Sequence, residues 1–256
     1  MITAAIIGII LLYILSGAYK GFLWSVYVLG ASIISCALAF ALMGPISSAI
    51  RNNEYIYNSM LSYTEGAESI YDVELRKVPI DEISDDELEE VMERSDLVFP
   101  LRDSVYKNIT LKRFESEGIV TLGDYFNESL VRVIINIASF IIVYLVLRVI
   151  STFIICWADY TFNFKKIRKA DFALGGAIGL LRGMLGLAVI FMFVPILLTI
   201  LNFDSIRDMV EGNSLAAFFH NSNLLLMLIP GKCAWGLITK ASSLRVNAWI
   251  PLIIRA

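Results

Sequence analysis

The side chains able to do chemistry in this chain are few and widely spaced. Asp171, Arg182 and Arg148 lie in or at the edge of strongly apolar runs, and His220 is the single histidine among 256 residues. A charge inside a bilayer is costly, so such groups pair, face water or face another helix, and they mark candidate ion or partner paths. The stretch that carries two of them reads Asp171-Phe-Ala-Leu-Gly175-Gly176-Ala-Ile-Gly179-Leu-Leu-Arg182-Gly183-Met-Leu-Gly186. At about 100° per residue, Gly175, Gly179, Gly183 and Gly186 fall within about 80° of one another, with Arg182 at the stripe's edge on the side of Asp171. Glycine weakens a helix by about 1 kcal/mol relative to alanine, so four on one face need a reason. In a bilayer the reason is packing: small residues let a second helix backbone come close where no hydrophobic force drives association.

Catalytic chemistry finds no support. His220, in Phe218-Phe219-His220-Asn221, has no nucleophile nearby in a recognisable pattern. Intramembrane aspartyl catalysis needs two carboxylates on facing spans, whereas Asp171 stands alone at a helix end. Cys36, Cys156 and Cys233 share no close spacing, so neither a zinc or haem set nor a disulfide framework can be assembled, and no metal or cofactor is expected. Ser32-Ile-Ile-Ser-Cys36 faintly resembles a lipoprotein cleavage site. A full apolar segment precedes Lys20 where a signal sequence would carry its basic residues, which argues against lipidation and against a cleaved leader.

These residues belong to a membrane composition. Hydrophobic residues make up 57% of the chain, and its mean hydropathy is +0.71. Charge is unevenly placed: residues 51–128 carry a net −11 and the remainder +8. That partition, with no basic stripe carrying interleaved aromatics, excludes nucleic acid as a partner and names the lipid bilayer instead.

The expected fold is all-α, with four transmembrane helices, a helical extracytoplasmic insert between spans 2 and 3, and an amphipathic C-terminal region. Residues 1–46 form an N-terminal hairpin: Ile2–Ser16, a turn at Gly17-Ala-Tyr-Lys20-Gly21-Phe22, then an apolar run from Phe22 to Met43 stopped by Gly44-Pro45. Residues 47–123 are the acidic insert. In it Ser84-Asp85-Asp86-Glu87 is a capping box that opens a solvated acidic helix with Leu88, Val91 and Met92 on one face, and Glu54 to Tyr71 is a second candidate helix. Residues 124–201 form the second hairpin, its spans at Leu130–Trp157 and Asp171–Leu201, each near the length that crosses about 30 Å of hydrocarbon. Arg132 marks the outer end of the third span, and Arg148 snorkels or faces another helix. Lys165, Lys166, Arg168 and Lys169 crowd the loop between these spans, which places that loop and Lys20 in the cytoplasm and the acidic insert outside. Residues 202–256 are amphipathic: Asp204–Glu211 is a short polar helix, Ser214 caps another through Met227, and Trp235 and Trp249 suit the headgroup level.

Asp171-x-x-x-Gly175-x-x-x-Gly179-x-x-Arg182-Gly183 after a basic loop resembles the signature of colicin V production (CvpA-type) membrane proteins. Lys20-Gly21-Phe22 between two apolar helices is similar to that family's basic-Gly-Phe element. The likeness covers the four spans, roughly half of the chain. It departs where the family tends to carry acids: Thr3 stands near the start of the first span, Ser25 follows the hairpin element, and the insert is longer than the family's short connection. The resemblance implies a multi-pass protein of the bacterial cytoplasmic membrane, associated with peptide-toxin production or export and envelope maintenance, and no known reaction.

Two functions remain. A non-enzymatic scaffold or accessory factor would pack through Gly175, Gly179 and Gly183, with Asp171 and Arg182 setting register, as a homo-oligomer or beside secretion or envelope proteins. A transporter or channel component would use Arg182, Arg148 and Asp171 as a polar path.

Overall fold

The computed structural model describes residues 2–95, 97–162, 169–200 and 204–229. The basic residues Lys165, Lys166 and Arg168 and the C-terminal tryptophans Trp235 and Trp249 lie outside them. The described residues are helical, with a single isolated bridge between Pro79 and Thr121 and no strand. Among them, four helical stretches are long and apolar enough to cross a membrane: Ile2–Lys20, Phe22–Arg51, Leu122–Tyr160 and Asp171–Ile200.

Helices α1 (Ile2–Lys20) and α2 (Phe22–Arg51) are separated by Gly21 alone. Gly21 has φ 94°, a left-handed conformation that side chains resist. The two helices do not pair chiefly with each other. Instead, α1 packs on α7 (Lys169–Phe191), α7 also touches α2, and α2 packs on α6 (Leu122–Phe162). The last span is interrupted at Met192 and continues as α8 (Phe193–Ile200).

The second span differs from expectation at its end, since α2 runs through Gly44-Pro45 to Arg51. Proline removes one backbone donor and crowds the preceding turn. Neighbouring helices in a membrane bundle can hold such a segment. Met43, 1% exposed, and Ser47, hydrogen-bonded to Asn136 of α6, bracket the proline and fasten it to that neighbour.

Between α2 and α6 lie α3 (Glu54–Thr64), α4 (Asp85–Arg94) and α5 (Leu101–Thr110). Asn53 caps α3 by accepting from the Ile56 amide at 3.1 Å. Ser84 and Glu87 cap α4 reciprocally, the Ser84 amide donating to Glu87 at 3.0 Å and the Glu87 amide to the Ser84 hydroxyl at 3.3 Å. α5 buries Leu101, Val105 and Ile109, one per turn, against α6. At 41 residues, α6 exceeds what a bilayer needs. Its first turns therefore serve the insert, and Leu122, Tyr125, Phe126 and Leu130 are sealed in one core with α4 and α5.

Past α8, α9 (Asp204–Glu211) falls where its polarity indicates. The next helix is capped by Asn213 rather than Ser214, and is broken into α10 (Ser214–Asn221) and α11 (Leu224–Leu228). Asn223 explains the break: its side chain accepts from the Leu225 amide and donates to the Ala188 carbonyl on α7.

Candidate functional site

Two motifs separated by about 150 positions meet at one end of the bundle. The Asp171 carboxylate accepts the backbone N–H of Phe22 at 2.7 Å. Phe22 opens α2, whose first amides have no partner within the helix, and Gly21 cannot supply a side-chain cap. Asp171 is thus the N-cap that Gly21 lacks, contributed from another helix and favoured by the helix dipole. The approach requires glycine on the other side: a β-carbon on Gly21 would stand 2.7 Å from Asp171 Oδ2.

From this junction the glycine stripe of α7 runs along α1. A β-carbon on Gly175 would overlap the Gly17 carbonyl oxygen, and one on Gly179 would overlap the Tyr13 carbonyl oxygen and lie 3.0 Å from Ile14 Cα. Added to Gly183, it would meet Tyr13 Cβ at 3.3 Å; added to Gly186, the Tyr13 hydroxyl at 3.1 Å. Contact loosens along the helix from backbone on backbone to backbone on side chain. Gly176 lies off the line, its nearest neighbour being Ile14 Cγ2 at 3.6 Å. The stripe is filled from within the chain: Gly17 and Tyr13 occupy it.

Arg182 sits beside the seam, 8% exposed. Its guanidinium carbon lies 4.9 Å from the centre of the Trp24 ring and 5.5 Å from that of Tyr13. Its Nε and Nη1 are buried without hydrogen-bond partners, and it makes no ion pair with a described carboxylate. Cation–π contact offsets part of the cost of burial, on the order of 2 kcal/mol when desolvated. Lys20 approaches the same indole, 5.5 Å from its centre, and lies 4.0 Å from Asp159. Arg148 is near enough to act on Arg182 electrostatically, and also on Cys36 and Tyr144. Its own contacts are local, with Nη1 3.5 Å from the Ser151 hydroxyl. Asp171 and Asp159 each stand about 11 residues, ~16 Å, from Arg182 and Arg148 respectively. The two arginines therefore share a depth, while the acids gather at the Lys20–Gly21 end.

Comparison of the chain with family models, curated proteins and solved structures finds no match.

Ser25 and Thr3 each have a local use. Ser25 is fully buried and donates to the Gly17 carbonyl at 3.3 Å, where an unpaired carboxylate would be strongly disfavoured. Thr3 accepts from Asn213, tying the start of α1 to the cap of α10.

A second polar cluster sits where the insert meets α6. Arg132 binds both Glu128 and Glu117 and lies over the Phe114 ring at 4.4 Å; Glu128 also accepts from the Tyr57 hydroxyl. Burial, then the bond to Glu128, pushes the Tyr57 phenol well above its ordinary value. Sequence reading placed Arg132 at the edge of a span but missed this network, because its members come from three separate segments, α3, the 114–117 turn and α6. Among the described residues no three His, Cys, Asp or Glu side chains converge to hold a metal.

Proposed function

We propose that this protein is a non-enzymatic scaffold or accessory factor of a bacterial cytoplasmic membrane, related to the colicin V production proteins and serving peptide-toxin export or envelope maintenance. The observation that carries it is the junction of Asp171 with Gly21-Phe22 and the backbone-tight seam leading away from it. The junction and seam tie the first, second and fourth spans together, the third packs on the second, and such a frame is what a partner-holding protein needs. The seam is internal, so partners would meet the opposite face of the same helix, where Leu174 and Ala177 are exposed. In this reading the loop after α6 faces the cytoplasm and the acidic insert lies outside.

Photo-crosslinking residues at Ala177 and Leu174, activated in native membranes, test it. Capture of a second copy or of one discrete secretion or envelope protein is expected. Adducts to lipid alone from both positions would sink the scaffold.

A second reading, anion transport, is favoured by one observation: two arginines at one depth, one of them buried with unused donors. Reconstituted protein would then pass an anion, and Arg182→Gln would abolish the flux. Asp171 is already committed to the Phe22 amide, which leaves that path without its acidic member.

A further inference from the structure

A cavity of about 440 Å³ lies at the other end of the bundle, between the α4–α5 connection, the end of α8, and helices α9 and α10. Its size suits a small ligand or a headgroup. Arg102, Arg207 and His220 line it together with Glu211, so among the described lining residues two guanidinium groups accompany one carboxylate. Leu198, Val210 and Phe99 supply an apolar side.

His220 is the unexplained member. It is 4% exposed, and neither ring nitrogen has a hydrogen-bond partner. The Phe99 ring meets it edge-on at 6.1 Å, and the Phe99 backbone favours its charged form without a well-formed hydrogen bond. Burial outweighs this and pushes its pKa down. A buried imidazole with both nitrogens idle costs stability, and no side chain among the described residues supplies its partner. Arg102 spends its Nε on the Met92 carbonyl at 2.7 Å, which fixes the side chain and leaves the outer guanidinium nitrogens for another acceptor.

Depth narrows the choice of ligand. Leu198 lies 27 residues beyond Asp171, roughly 40 Å of nearly continuous helix, comparable to the ~40–45 Å thickness of a bilayer with its headgroup regions. If the four helices cross a bilayer, the cavity opens among headgroups. Guanidinium groups hold phosphate oxygens in paired hydrogen bonds. We propose that this cavity binds the phosphate of an anionic phospholipid, with Arg207 and Arg102 holding the oxyanion, His220 donating one N–H, and the start of the acyl chains against Leu198.

The single histidine makes the test direct, because full-length protein labelled with ¹⁵N-histidine gives one imidazole. In a neutral maltoside detergent, added dihexanoyl-phosphatidylglycerol is expected to shift the imidazole resonances saturably, while dihexanoyl-phosphatidylcholine leaves them unmoved. Arg207→Gln should weaken the response at least tenfold, with an unchanged ligand-free spectrum showing that the site is still folded; Arg207→Lys should restore most of it. A shift that inorganic phosphate alone produces at equal concentration would assign the site to free phosphate and overturn the lipid. No shift with phosphatidylglycerol, or one that Arg207→Gln leaves intact, would overturn the site.

Discussion

The α1–α7 seam and the core beneath the insert solve the same problem of joining helices by opposite means. The seam removes side chains until Gly17, Gly175 and Gly179 bring two backbones together, and then adds one carboxylate to finish the neighbouring helix. The insert core fills its space with bulk: Tyr125, Phe126 and Leu130 from α6 lie among Leu101, Val105 and Ile109 from α5 and Val91 and Met92 from α4. Near water, burying large apolar groups is the main source of stability. In lipid that force is absent between helices, so close approach and a few polar contacts replace it. The same helix, α6, serves the second mode in its first turns and lies among membrane-type helices in its later ones.

The largest expected effect is on the bulky side. Phe126→Ala empties a fully buried site and should cost about 3–5 kcal/mol, the range for large core truncations. Limited proteolysis of the purified protein should then cut the insert first while α7 stays protected. Simultaneous loss of both regions would mean that the insert and the seam are a single cooperative unit.

The seam should respond to addition where the insert responds to removal. Gly179→Ala forces a methyl into the Tyr13 carbonyl and should cost about 1–3 kcal/mol, the overpacking range. Gly176→Ala, at the margin of the stripe with 3.6 Å to its nearest neighbour, should be neutral or stabilising. Thermal unfolding in detergent separates the two. Equal melting temperatures would show that the seam is not backbone-tight, and the contrast between the regions would fall.

The parts of this design legible in the sequence are those written in short spacings. The glycine stripe, the edge position of Arg182 and the Ser84–Glu87 capping box each fit within a few helical turns, and the structure places them on one face or at one cap. The continuation of α2 through Pro45 was not legible, because α6 holds that segment and nothing local does. α5 carries a short signal of its own, since Leu101, Val105 and Ile109 recur every four residues, though Asn108 and Thr110 blur it. The cap on Phe22 could not be read at all, since donor and acceptor lie 149 positions apart.

That cap gives the next test. Asp171→Ala leaves the first amide of α2 unpaired beside a glycine that offers no replacement, and should cost about 1 kcal/mol, as for other lost N-caps. Asp171→Asn keeps an acceptor and should cost less. Hydrogen exchange of the peptide 18–26 in detergent reads the difference, with faster exchange expected in the alanine variant alone. An unchanged rate in both would mean that the junction is held by the glycine contacts without the carboxylate.

The smallest effect belongs to the insert's own cap, which is exposed and reciprocal. Hydrogen bonds from the Ser84 backbone and then its hydroxyl hold the Glu87 carboxyl below the ordinary glutamate value. A lowered folded pKa means that the cap's contribution is present above the unfolded value, about 4.3, and fades as pH falls through the folded one. Protection of α4 amides, corrected for the intrinsic exchange rate, should therefore decline between about pH 5 and pH 3, and Glu87→Gln should reduce protection at neutral pH and flatten that decline. The Asp171 cap and the Ser84–Glu87 cap then differ in kind. One is supplied by a distant helix and ties the bundle together; the other is supplied within one turn, and its loss should stay confined to α4. If Glu87→Gln loosened α6 as well as α4, the local cap would be carrying long-range order too, and the division between the two regions would have to be redrawn along α6.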